Sequence, residues 1–166
     1  MEFNEYKERL SARLLSSFDL EEDVMIGAVP VALKASFKRV TERYVLVKKN
    51  VQYRYETNEY FYLLQQMAPT VAQLEQTVQQ LTDAIIANSQ VDREHMSSDH
   101  TIIFHVDIIS PEVADFVRKF IYRRFFKLGF QGWAHIGLVM VDTTGQIIYS
   151  RHRRQKPYRF LDMKSK

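Results

Sequence analysis

The chain contains no cysteine, which excludes disulfides, thiolate nucleophiles and cysteine metal cages and suits a reducing cytoplasm. Glycine (5) and proline (4) are scarce among 166 residues, so long linkers are not expected, and neither internal repeats nor low-complexity tracts occur. No apolar run approaches the roughly 18 residues of a membrane span, and the opening MEFNEYKERL is mixed in charge, without the basic start and apolar centre of a leader. A membrane partner is therefore not expected. The glycine patterns of the P-loop, the dinucleotide turn and the nucleophile elbow are also missing, so no nucleotide cradle or acyl-transfer serine is legible and no cofactor is implied.

Acid is scarce in one place. Residues 116–166 carry 12 Lys/Arg against only Asp142 and Asp162, net +10, whereas residues 1–115 carry 11 against 18, net −7. The overall charge of +3 hides this split. Such an asymmetry points either to an anionic partner, protein or nucleic acid, or to one half of the fold docking on the other.

What is present is enough for one core: 46% of residues are apolar and 13% aromatic. Phe3, Tyr6, Leu10, Leu14 and Phe18 recur at three and four residues, the stripe of an amphipathic helix over 2–17. The acidic DLEED at 19–23 reads as a turn. Val24–Ile26, Val31–Phe37, Tyr44–Lys48, Val51–Tyr55 and Tyr60–Leu64 read as strands of an antiparallel meander, with Val31, Leu33, Ala35 and Phe37 on one side of the pleat. Thr70 and Gln73 form a capping box ahead of a helix reaching about Asn88, and the polar stretch Ser89–Asp99 reads as a loop. Thr101–Ile109 is a strongly apolar strand. Ser110-Pro111 opens a helix expected to run towards Gly129, and a hairpin with strands at about 134–141 and 146–151 turns on Asp142-Thr143-Thr144-Gly145. The expected fold is α+β: one domain over 1–150, an antiparallel-rich sheet (meander plus C-terminal hairpin) covered by about three helices, followed by a basic tail at 151–166.

On the expected third helix, Val113, Phe116, Val117, Phe120, Ile121 and Leu128 share one arc, with Arg118, Lys119 and Arg123 opposite as an ordinary solvated face. Arg124 falls within the apolar arc, where an unpaired guanidinium is costly. Either the helix ends near Arg123, or the side chain snorkels out, or it enters a pocket and pairs with a carboxylate or anionic ligand. Trp133 lies close by in sequence, and Arg151, Arg153 and Arg154 open the tail, so that Arg118, Lys119, Arg123, Arg124, Trp133, Arg151, Arg153 and Arg154 form the candidate anion-binding set.

Two other constellations are weaker. His105 and Asp107 point the same way on a strand, and His135 would face them from a neighbouring strand, a two-imidazole, one-carboxylate grouping that could hold a metal. The order of helices and strands is shared with restriction-endonuclease-like folds, but Glu56 and Glu59 lack the following lysine that magnesium-dependent hydrolysis needs. The tyrosines of the meander read as strand formers under the helices, not as base-stacking platforms.

The stretches EHMSSDHT at 94–101 and FKLGFQGW at 126–133 resemble a family of small uncharacterised proteins of Gram-positive bacteria. The resemblance spans most of the chain and implies no activity or catalytic residue. The resulting expectation is a cytoplasmic, non-enzymatic binding or regulatory module whose basic final third meets an acidic protein or nucleic acid. A homo-oligomer is compatible with it. The alternative is a small enzyme or ligand-binding protein with a pocket lined by Arg124, His105 and His135.

Overall fold

The computed structural model describes residues 1–43, 53–88, 96–126, 132–151 and 158–163. Helix α1 (Phe3–Leu14) leads into strands β1 (Asp19–Ile26), β2 (Val29–Arg43) and β3 (Tyr53–Gln65). There follow α2 (Val71–Asn88), β4 (Met96–Val106), α3 (Pro111–Lys119), β5 (Tyr122–Phe125), β6 (Gly132–Asp142), β7 (Ile147–Tyr149) and a short 3-10 turn, Arg159–Leu161. The strands form one sheet in the order β1-β2-β3-β4-β6-β5, with β7 also paired to β6. Because β4 occupies one edge of β6 over its whole length, β5 and β7 lie end to end along the other. The meander β1-β2-β3 and the pairs β5-β6 and β6-β7 are antiparallel, while β3-β4 and β4-β6 are parallel. The α+β class, the single antiparallel-rich sheet and the three helices agree with the sequence expectation.

The central strands are apolar at successive positions because both faces of the sheet are covered. Even-numbered residues such as Tyr62, Leu64, Ile102, Phe104, Leu138 and Met140 pack under Leu74, Val78 and Leu81 of α2 and Val113 and Val117 of α3. Odd-numbered residues, Phe61, Leu63, Ile103, Val139 and Val141, pack under Tyr6, Leu10 and Leu14 of α1 and under Leu161. Tyr158 and Phe160 set their rings edge-on against Phe61. Residues 158–163 thus complete the second core.

Local signals place most boundaries. Thr70 and Gln73 exchange the expected capping-box bonds, Thr70 N to Gln73 Oε1 at 2.9 Å and Gln73 N to Thr70 Oγ1 at 3.2 Å. Ser110 accepts from Val113 N at 3.3 Å, with Pro111 in the first turn. In the β6-β7 connection, Asp142 Oδ1 accepts from Thr144 N, Thr144 Oγ1 and Gln146 N, and Gly145 adopts φ +82°.

Five expectations are corrected. DLEED is not a turn but the start of β1, paired to Leu33–Ser36 of β2. Tyr53–Tyr55 and Tyr60–Leu64 are not separate strands, since Tyr53 to Gln65 is continuous, while Val51 and Gln52 lie outside the described residues; Met96–Asp99 belongs to β4 and not to a loop. Tyr44–Lys48 lies outside the described residues. Val31 does not share a core with Leu33 and Ala35: it joins the α2 side with Val29, while they join the α1 side. The ladder omits Asp23 with Ala32 at this point, and Asp23 has φ +50°, so the β1-β2 ribbon inverts its faces there. Finally, α3 stops at Lys119. Phe120 is already extended (φ −61°, ψ 130°), because the β-branched and aromatic run after it gains ladder bonds on β6 that a further helical turn would forgo.

Among the described residues, no helix is long and apolar enough to cross a membrane.

Candidate anion-binding edge

The early end of α3 decides the fate of Arg124. It stands on β5, paired with Ala134 of β6, and is exposed. Of the three outcomes open from sequence, the helix ending before this residue is the one that occurs. Strand alternation then sends Arg123 and Arg124 to opposite faces. Each guanidinium sits over a phenylalanine two residues on, Arg123 at 5.8 Å from the centroid of Phe125 and Arg124 at 6.0 Å from that of Phe126. Such contacts contribute about 0.5–1 kcal/mol at exposed sites and hold the cation extended along the strand. Phe125 itself is 56% exposed and Ile121, just before the strand, 58%.

Trp133 pairs with Phe125, and His135 with Arg123, so all four share the α1 side of the sheet. The Trp133 and His135 rings are 6.2 Å apart. Register extends this row inward: Arg123, His135, Asp99 and Glu59 are successive partners across β5, β6, β4 and β3. His135 Nδ1 lies 3.5 Å from Asp99 Oδ1, and the Tyr158 hydroxyl donates to Glu59 Oε1 at 2.7 Å. Sequence reading missed this row. The polar run ending at Asp99 reads as a loop, and nothing local joins Glu59 or Tyr158 to His135. Only the parallel register of β3, β4 and β6 aligns them.

Other candidates are dispersed. Arg118 and Lys119 are exposed on α3, where Lys119 pairs with Asp115 at 2.7 Å, and Arg151 is exposed just after β7. Arg153 and Arg154 lie outside the described residues. The pocket expected from Arg124, His105 and His135 does not form. Arg124 is on the α2/α3 face and both histidines are on the other, while His135 pairs with Asp99, six residues before His105 on β4, about 20 Å at the rise of a strand. Asp107 is exposed beyond the end of β4. Among the described residues, no three His, Asp or Glu side chains are grouped so as to hold a metal ion, and His105, Asp107 and His135 do not come together.

His105 has a structural role. Its Nε2–H donates to the Met1 carbonyl at 3.1 Å, and its ring packs on Phe3 and Tyr6. Burial lowers its pKa by disfavouring the cation. On the opposite face, His100 lies between the Tyr62 hydroxyl and Ser98 Oγ, at 3.0 Å from each, and stacks on Tyr60. Burial pushes the Tyr62 hydroxyl pKa up, which keeps it neutral.

A family model described as Domain of unknown function (DUF8052) matches residues 2–162, and the chain belongs to that family. No curated protein and no solved structure matches the chain.

Proposed function

We propose that this family member is a non-enzymatic binding module whose basic final third takes an acidic macromolecule along β5. The observation that carries this reading is how the charge split is resolved. Cations of the first two thirds are answered locally: Lys7 by Glu22 and Asp23, Arg9 by Glu5, Lys34 by Glu21. Arg123 and Arg124 are exposed over phenylalanine rings, and among the described residues neither has a carboxylate within ion-pair distance. Internal docking of basic on acidic regions therefore does not account for these two cations. An anionic surface supplies what they lack, with bidentate geometry open to carboxylate or phosphate. The cysteine-free composition supports a cytoplasmic setting for that partner.

The test is chromatography of the full chain on heparin. Retention at low ionic strength that falls steeply as salt rises is the expected outcome, since exposed charges are screened over about 10 Å at 0.1 M salt. Passage without retention at low salt removes the reading.

A further inference from the structure

We propose that β5 is a docking edge for an extended acidic segment of another protein, which joins the sheet as an additional strand. This deepens the function proposed above and rests on it. Among the described residues β5 ends the sheet path. The phase of its ladder is set by Phe126 N donating to Gly132 O at 3.1 Å. In an antiparallel pair, hydrogen-bonded and non-bonded positions alternate, so Tyr122 and Arg124 spend their backbone groups on β6. Arg123 and Phe125 turn their N–H and C=O groups outward. An arriving strand finds two residues' worth of backbone donors and acceptors already aligned, the mode of recognition by strand addition.

The side chains specify what arrives. Arg123 and Arg124 lie on opposite faces, and a strand laid alongside alternates in the same way. Two adjacent carboxylates on it would meet one guanidinium on each face. Exposed Ile121 and Phe125 flank the pair, so the segment that fits has two successive acidic residues between apolar ones. A symmetric second copy fits poorly: antiparallel pairing centred on Arg123 or Arg124 sets that arginine against its own image, and like charges directly opposite destabilise a ladder. The chain's acidic edge, β1, is also a poor occupant. Its Glu21 and Glu22 are held by Lys34 and Lys7, and the ribbon inverts at Asp23. Nucleic acid offers phosphates to the arginines but no backbone complement to the outward N–H and C=O groups.

The test uses the full chain and three fluorescent probes in anisotropy titrations at low salt: a peptide with two adjacent glutamates between valines, the same peptide N-methylated at alternate amides, and a single-stranded oligonucleotide. The peptide is expected to bind. N-methylation, which removes backbone donors and leaves charge intact, is expected to weaken it by at least about tenfold, and Arg123→Glu and Arg124→Glu by about tenfold each. Equal affinity of the N-methylated peptide overturns strand addition while leaving charge attraction standing. Displacement of the peptide by a tighter-binding oligonucleotide overturns it in favour of nucleic acid. Concentration-dependent self-association in sedimentation, abolished by Arg123→Glu, overturns it in favour of a second copy. Loss of heparin retention by the unmodified protein is a different failure and removes the underlying function.

Discussion

The two ends of the sheet carry opposite charge and treat it differently. At one end, β1 presents Asp19, Glu21, Glu22 and Asp23, all exposed, but Lys7 from α1 and Lys34 from β2 reach three of these carboxylates. Its ladder is interrupted at Asp23. At the other end, β5 keeps a regular register against β6, and its arginines rest on aromatic rings. Charge on an edge strand discourages indiscriminate pairing. Where the chain supplies its own counter-ions and twists the strand, the edge is closed. Where it supplies only rings beneath the cations, Arg123 and Arg124 keep their charge unanswered among the described residues. A net charge says little about a partner until each cation has been assigned its neighbour.

Gly27→Ala breaks the acidic end most severely. Gly27 turns the β1-β2 hairpin at φ +60°, and a Cβ there would stand 2.8 Å from the Ala84 Cβ on α2. Backbone strain and overpacking together cost about 2–4 kcal/mol, read from the urea midpoint. Heparin retention of the folded variant is expected to persist, and its loss would show that the two ends are coupled.

At the basic end the signs reverse. Arg123→Glu combined with Arg124→Glu is expected to leave stability within about 0.5 kcal/mol, because neither side chain is buried, while abolishing heparin retention. A large drop in melting temperature would mean that the arginines are structural and would dissolve the contrast.

Lys7→Met is the milder test of closure. The hydrogen bond to Glu22 raises the Lys7 pKa, so its contribution is present below the unfolded value of about 10.5 and is lost as pH rises through the folded pKa. The Lys7 side chain is largely covered but its partners Glu22 and Asp23 are exposed, so the expected loss is under about 1 kcal/mol at neutral pH, shrinking in about 1 M salt. An undiminished loss in high salt would assign the effect to packing of the stem.

His105 lies away from both ends and gives the smallest effect. Its folded pKa is lowered, so its stabilising neutral form is fully present above about 6.5 and is lost as pH falls through the folded value. His105→Gln is expected to flatten the acid limb of the stability profile below about pH 6.5. An unchanged profile would trace the acid limb to other groups.

Much of the fold was legible because its signals are short. The capping box at Thr70 and Gln73, the Ser110-Pro111 start, the DTTG turn and the α1 stripe each depend on residues within three or four positions, where backbone geometry dictates the interaction. The reading failed where alternatives were locally balanced. The run after Lys119 suits helix or strand, and the vacant edge of β6 tips it to strand. Val31 continues the alternation of Leu33 and Ala35, and only the kink at Asp23 moves it to the other core.

Composition and order alone determined that the chain makes an α+β sheet protein without thiol chemistry and with its positive charge concentrated in the last third. Tertiary structure decided which of those charges meet solvent and which residues share a row: it parted Arg124 from the histidines, aligned Arg123, His135, Asp99 and Glu59, and set β5 at the rim. The physical reason is that propensity and capping act along a few residues of backbone, whereas register and edge position depend on strands far apart in sequence.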